Sequence, residues 1–405
     1  LKVLQISIEV NNNSVGRIAE QIGEEVLANN GQSYITYARS HNPSSSVVIK
    51  IGSKLDLYYH ALCTRIFDTH CLHSKKATKK LIETIDQIKP DIIHLHHIHG
   101  YFLNMEILFK YLRTYQYPVV WTFHDCWSFT GHCAYFDSIN CMKWKNQCYD
   151  CELKKTYPAS HFLDRSTKNF NLKKELFTSI NNITIVPVSN WLANFTKVSF
   201  FKDKPIEIIR NGIDLSLFTF KKTLLLPEML KQEKRQIVLG VASTWEERKG
   251  LKEFLKLNDC IDQNKFVIVL VGLTLKQVKH LPKTIIGLQR TKNVEELASL
   301  YNKALVFVNP TLSDTYPTTN LEAIACGTPV ITYNTGGSIE AITQDTGFVV
   351  NQYDVNAVNC RIVEINQKTK EYYQEKCINF AKKNFDKSVQ FKKYISLYNK
   401  ILLNK

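Results

Sequence analysis

Short apolar runs rich in β-branched residues alternate with amphipathic stretches along most of this chain. Lys2–Ile8, Ser33–Tyr37, Ser46–Ile51, Asp91–His96, Pro118–Phe123 and Ile183–Val188 predict strands, several of them apolar without alternation. That is the pattern of parallel strands covered on both faces. Gly16–Asn29, Lys75–Ile88 and Asn104–Tyr115 carry helical periodicity between them. The alternation predicts a doubly wound parallel sheet. The pattern then restarts, with strands expected at Gln236–Ala242, Lys265–Val271, Thr284–Gly287, Ala304–Val308 and Pro329–Thr332, and a helix at Val294–Asn302. A strand at Ile206–Ile209 and an Asn211-Gly212-Ile213-Asp214 turn are expected just past a junction near 200–206. Asn-Gly is strong turn chemistry because both residues tolerate positive φ. Segment 140–175 fits neither period and is read as irregular.

A length of 405 residues accommodates two hydrophobic cores, since single cores stop growing near roughly 250–300 residues. No apolar run approaches the ~20 residues that span a bilayer. The opening strand-like segment leaves no room for a secretory leader ahead of it, so a cytoplasmic location is expected. The net charge of +15 changes the picture at one place. Residues 366–405 carry ten lysines against Glu371, Glu375 and Asp386, interleaved with aromatic residues, which predicts an amphipathic helical tail. It is either a solvated lysine face or a contact for an anionic membrane surface, where each basic residue is worth roughly 1 kcal/mol. No nucleic-acid-binding motif accompanies it, so no nucleic-acid partner is expected.

Candidate chemistry concentrates in FVNPTLSDTYPTTNLEAIACGTPVITYNTGG, where a strand ends at Asn309, a loop carries Asp314 and a helix starts near Thr318–Thr319. A helix start at the carboxyl end of a parallel strand is where such sheets bind ligands, and its free N–H groups suit a diphosphate. Glu322, expected on the first helical turn, can accept two hydrogen bonds from vicinal ribose hydroxyls. Asp314 can do the same for sugar hydroxyls. The competing reading is a helix cap with a surface carboxylate.

Asp314, followed by Glu322-Ala323-Ile324-Ala325-Cys326-Gly327-Thr328-Pro329-Val330-Ile331, resembles the E-x7-E and A-x-A-x-G-x-P-V-I signature of the retaining glycosyltransferases of family four, of GT-B fold. The first acid is Asp here, one methylene shorter. Glu296-Leu297, Tyr301, Gly336-Gly337, Glu340 and the Asn211–Asp214 stretch follow the family's order. The resemblance spans most of the chain and is densest from 206 to 350. It implies two Rossmann-like domains facing a central cleft. Residues 1–203 would bind the acceptor and 204–384 the nucleotide-sugar donor, with a last helix, about 385–405, packing back on the first.

In GVASTWEERKG the resemblance makes Arg248 and Lys249 a clamp for the donor diphosphate. No D-x-D pair exists in the chain, so fixed cations and no catalytic metal are expected to neutralise the leaving group. It also places Gly16, in the loop Asn11–Arg17, near the donor, and His124, after the strand Val119–Phe123, in catalysis. His94, His96, His97 and His99 crowd the preceding strand end and cannot be ranked by sequence. A saccharide acceptor, lipid-linked as in many relatives, is implied, with peripheral attachment to the inner face of the membrane. A catalytically silent sugar-nucleotide-binding protein and a GT-B epimerase or phosphorylase are the alternatives. Finally, Cys133, Cys141, Cys148 and Cys151 end in C-x2-C, a spacing that suits a structural zinc, against free buried thiols or disulfides.

Overall fold

A computed structural model describes residues 1–404. The chain divides into two compact units, Leu1–Arg210 with Gln390 onward, and Asn211–Val389. In the first, β1 (Lys2–Ile6), β2 (Gln32–Tyr37), β3 (Val47–Lys50), β4 (Ile92–Leu95), β5 (Val119–Phe123) and β6 (Ile183–Pro187) form one parallel sheet in the order β3-β2-β1-β4-β5-β6. Helix α1 (Asn13–Ala28) follows β1, and α2 (Ser166–Thr178) precedes β6. The second unit repeats the order as β9-β8-β7-β10-β11-β12. Its strands are β7 (Gln236–Val241), β8 (Phe266–Val271), β9 (Ile285–Leu288), β10 (Val306–Asn309), β11 (Val330–Tyr333) and β12 (Gly347–Val350). Helices α3 (Val294–Lys303) and α4 (Thr318–Ala325) flank β10. Both units are therefore doubly wound Rossmann-like sheets.

Every residue of β5, β6, β8, β10 and β11 is buried, which explains their unbroken apolar runs. The predicted strands hold to within a few residues except one, and one predicted turn fails. Ile206 makes one bridge to Ile185 and no strand forms there. Asn211-Gly212 makes no turn and neither residue has positive φ. Ile213 instead lies extended against Asp386, its N–H on Phe385 O at 2.8 Å and its carbonyl accepting from Lys387 N at 3.0 Å. Pairing with a distant segment overrides the local turn preference.

The basic tail is two helices, Lys370–Asn384 and α5 (Lys387–Leu403). Phe391, Tyr394, Ile395, Leu397 and Tyr398 of α5 join one core with Val3, Ile18, Ile22, Val26, Ile92, Val120 and Val186. Each large apolar side chain so buried contributes roughly 1.5–3 kcal/mol. The two tyrosine hydroxyls are satisfied inside that core, Tyr398 at 2.7 Å from His94 Nδ1 and Tyr394 at 2.9 Å from Thr122 Oγ1. Not every tail lysine faces water. Lys370 Nζ donates to Asn302 O at 2.5 Å.

The expected irregular segment 140–175 is irregular only to 165, because Ser166 starts α2; the irregular stretch runs from 127 to 165, with three single-turn 3₁₀ elements around a cluster of Phe129, Phe136 and Trp144. Asp68 ties it down. The carboxylate of this fully buried residue meets His132 Nδ1 at 2.6 Å and accepts from Arg165 N at 2.7 Å. Burial would lower the His132 pKa, but the Asp68 contact outweighs it and raises it above the ordinary 6.5. This stabilisation is complete below about pH 6.5 and is lost as pH rises through the raised folded-state value. Asp68→Asn is expected to cost about 1–3 kcal/mol in urea unfolding, with a smaller deficit at alkaline pH.

Candidate functional site

The second unit gathers most of the predicted chemistry at the carboxyl ends of β7 and β10. After β7 the chain makes a 3₁₀ turn, Glu247–Lys249, and reverses at Gly250 with φ 76°. A Cβ there would sit 2.2 Å from Pro310 O, so only glycine lets this turn lie against the β10 loop. Leu312 N donates to Arg248 O at 2.7 Å and Arg248 Nη1 to Ser313 O at 3.1 Å, which pins the two loops together. Lys249 Nζ consequently lies 2.5 Å from Asp314 Oδ2, with Arg248 Nη1 at 3.9 Å from the same oxygen. Burial alone would raise the Asp314 pKa, but Lys249 and then Arg248 hold it below the usual carboxylate range. Burial lowers the Lys249 pKa against the opposing pull of Asp314.

Helix α4 begins at Thr318 and Thr319 without a side-chain cap. Glu322 is its fifth residue, one turn in, and so lies beyond the first turn expected for it. It is buried, and Tyr301 of α3 donates to its Oε2 at 3.0 Å. Position 320 escaped the sequence reading. Asn320 is fully buried, accepts from Asn309 Nδ2 at 2.8 Å and donates to Ser338 O at 3.1 Å, locking α4 to β10 and to the Gly336–Ala341 turn. Gly336 (φ 53°) lets that turn pass against Asp314 O, where a Cβ would stand 2.0 Å away. Nothing in the residue type distinguished Asn320 from an asparagine on a solvated helix face.

In the first unit, Asn11 (φ 48°) and Asn13 (φ 51°) take the left-handed conformation, which asparagine tolerates better than most residues. Gly16 lies in the first turn of α1, which starts three residues earlier than predicted. Its hydrogen side faces Glu9 O, 3.1 Å from where a Cβ would be. The histidines now separate by role. His94 is structural, its Nε2 on Thr122 Oγ1 at 2.8 Å and its Nδ1 on Tyr398. His96 joins a relay. The Gln5 amide donates to Ala19 O at 2.8 Å and so presents Oε1 to His96 Nε2 at 2.9 Å. His96 Nδ1 must then accept from His124 Nε2, 3.1 Å away, which leaves Nδ1 as the basic nitrogen of His124. Burial first, then His97 and His96, push the His124 pKa well below 6.5, so this imidazole is neutral.

All eleven cysteines are free thiols. Cys133, Cys141, Cys148 and Cys151 line one small pocket with His132 and Trp144, and Gly131 N donates to Cys148 Sγ at 3.1 Å. Among the described residues, however, no three of these sulfurs lie within 4.8 Å of one another. The cluster that does meet that distance is His97, His99 and Asp125. No described helix is long and apolar enough to cross a membrane.

Two Rossmann-like units of this order, with a basic turn and an acid-bearing helix start in the second, define a GT-B glycosyltransferase. The comparisons agree in both halves. Residues 25–217 match the model of Glycosyltransferase Family 4, and 224–384 that of Glycosyl transferases group 1. The chain is 23% identical over 375 residues, 88% of each protein, to the putative colanic acid biosynthesis glycosyl transferase WcaC of Escherichia coli K12. It is 29% identical over 114 residues, 27% of this chain and 30% of that protein, to the capsular polysaccharide biosynthesis glycosyltransferase CapM of Staphylococcus aureus. Sucrose-phosphate synthase from Thermosynechococcus elongatus superposes with a TM-score of 0.72 at 16% identity, covering 100% of this chain and 99% of that one. Anabaena HepE, solved in complex with UDP, gives 0.65 at 14% identity over 99% and 100%. The chain belongs to glycosyltransferase family four.

Proposed function

We propose that this enzyme transfers a sugar, with retention of anomeric configuration, from a nucleotide-sugar donor to a lipid-linked saccharide during cell-surface polysaccharide synthesis. The carrying observation is the Lys249–Asp314 contact at 2.5 Å beside the start of α4. It sets a cation and a carboxylate side by side where a diphosphate and its sugar must be told apart. In this reading the diphosphate takes Lys249, Arg248 and the N–H groups at Thr318 and Thr319, while Asp314 turns to the sugar hydroxyls. Glu322, oriented by Tyr301, takes the ribose. Gly16 beside the donor and His124 in catalysis keep, in this reading, the roles that the family resemblance gives them. A front-face displacement of this kind needs no protein nucleophile. The reading draws support from the polysaccharide enzymes it resembles and from HepE, solved with UDP and with UDP-glucose.

Thermal shift against a panel of nucleosides, nucleoside diphosphates and sugar nucleotides tests it. The cognate donor at 100 times its Kd should add roughly 2.7 kcal/mol. Indifference to every nucleotide would overturn the donor assignment.

For the membrane, an exposed stripe is a better candidate than the tail. Leu55, Tyr58, Tyr59 and Leu62 lie at i, i+3, i+4 and i+7 on helix Lys54–Phe67, each more than half exposed. Exposed Lys75, Lys76, Lys79 and Lys80 lie on the helix that starts beside Ser74, whose hydroxyl is 2.9 Å from His60. Apolar residues backed by lysines suit an anionic lipid surface. The protein is expected to sediment with anionic but not neutral vesicles, less so at high salt, and Leu55→Asp with Leu62→Asp should release it. Equal behaviour with both vesicle types would remove the membrane from this proposal.

The four-cysteine cavity is proposed as a structural zinc site, its sulfurs drawn in on binding. Purified protein is expected to hold about one zinc there, released by Cys148→Ser. Zinc-free protein with four titratable thiols in this segment would return them to buried cysteines.

A further inference from the structure

His97 and His99 stand in the loop after β4, and Asp125 stands two residues past β5. His97 Nε2 and His99 Nε2 lie 3.3 and 3.0 Å from one oxygen, Asp125 Oδ2, and the three atoms all lie within 4.8 Å of each other. Neither ring nitrogen makes a hydrogen bond of acceptable geometry to that oxygen, and neither has another partner. His99 and Asp125 are more than nine-tenths buried.

The hydrogen bonds around the cluster say which atoms carry protons. Tyr157 OH donates to His99 O at 2.8 Å, so its oxygen can only accept from His99 Nδ1, 3.1 Å away. Nδ1 therefore carries the proton of the neutral ring, and Nε2 presents a lone pair. Asp125 Oδ1 accepts from Trp127 N at 3.0 Å, which leaves Oδ2 for the histidines. A lone-pair nitrogen 3.0 Å from a carboxylate oxygen in a buried site is repulsive unless a cation sits between them.

The separations match such a cation. Two ligand atoms at about 2.0–2.1 Å from one metal are roughly 2.8–3.4 Å apart for octahedral to tetrahedral angles, a range that holds both nitrogen–oxygen distances. The outer partners are those that fix metal ligands, a hydroxyl on the far nitrogen of one histidine and a backbone N–H on the far oxygen of the carboxylate. His97 is partly exposed, which gives an ion a way in.

We propose that His97, His99 and Asp125 bind a divalent transition-metal ion of the zinc class. Two imidazoles and a carboxylate suit zinc, iron or cobalt in the divalent state, and magnesium poorly. Three protein ligands leave at least one position for an oxygen ligand, water or a saccharide hydroxyl, next in sequence to His124. The inference rests on this cluster alone and stands whether or not the donor assignment above holds.

The test is titration of the chelator-stripped full-length protein with Co²⁺, in the wild type and in Cys148→Ser, followed by X-ray absorption at the metal edge. One equivalent is expected in the Cys148→Ser protein, with nitrogen and oxygen neighbours at about 2.0–2.1 Å and no thiolate charge-transfer band. His97→Ala and Asp125→Asn should each weaken binding by at least about 100-fold. Tyr157→Phe, which keeps every ligand, should weaken it about 10-fold. His97 is partly exposed, so its variant should keep the wild-type melting temperature of the metal-free protein and report on binding alone. Absence of binding in the Cys148→Ser protein, a sulfur-ligated ion as the sole ion bound by the wild type, or affinity unchanged in both His97→Ala and Asp125→Asn would overturn the proposal.

Discussion

Lys249→Ala is expected to lower kcat/KM by about 10²- to 10³-fold and to weaken nucleoside diphosphate binding, without introducing a need for magnesium or manganese. The magnitude is that of removing one preorganised donor from a site of developing negative charge, roughly 2.7–4 kcal/mol. The lysine is held 2.5 Å from Asp314 by loops that Gly250 and Gly336 allow to touch, so the cation is placed before the substrate arrives. Its ion pair complicates the reading, because removing Lys249 leaves the buried Asp314 with Arg248 at 3.9 Å. Part of any loss could come from that stranded carboxylate. Adding Asp314→Asn to Lys249→Ala separates the two contributions. If the lysine acts on the diphosphate, the double variant regains stability but not diphosphate affinity. Recovery of both would make Lys249 a counter-ion of Asp314 and nothing more. A strict requirement for added magnesium or manganese in the wild type would shift the leaving-group role away from the lysine.

The sheets were legible because parallel strands buried on both faces write themselves as apolar runs. β12 was not, since four residues beginning with glycine and including an exposed Val349 give too short a signal. The Asn211-Gly212 turn failed for the opposite reason. Its local preference is strong, but Ile213 pairs with Asp386, more than 170 residues away, and a sequence window cannot see that partner. The acid-bearing segment was readable as one stretch because Asp314, the helix start and Glu322 are contiguous. What brings Arg248 and Lys249 to it is a hydrogen bond between Leu312 and Arg248 backbones, which any residue types could make. The histidines show the limit most directly. Four of them sit within six positions, and only the partners, Tyr398 for His94, Gln5 for His96 and Asp125 for His97 and His99, divide them among a core contact, a relay and a ligand cluster.

Glu322→Gln is expected to raise the Kd for the bare nucleoside diphosphate by about 10- to 100-fold while leaving turnover of bound donor nearly intact. A carboxylate that accepts two ribose hydroxyls makes charge-assisted hydrogen bonds, and the amide keeps the shape while weakening both. Tyr301 donates to Oε2 at 3.0 Å and fixes the carboxylate plane, so Tyr301→Phe should give the same effect in smaller measure. Asp314→Asn should behave otherwise. Its proposed partner is the sugar, so nucleoside diphosphate affinity should be spared and kcat depressed. Titrating both variants with the donor and with the bare diphosphate, alongside kcat and KM, gives four responses that no general loss of stability can imitate. A destabilised protein would lose all four together, whereas ribose and sugar contacts fail in opposite columns. Wild-type diphosphate affinity in Glu322→Gln would place the ribose elsewhere, and the helix start of α4 would then have to hold the phosphates without the carboxylate one turn behind it.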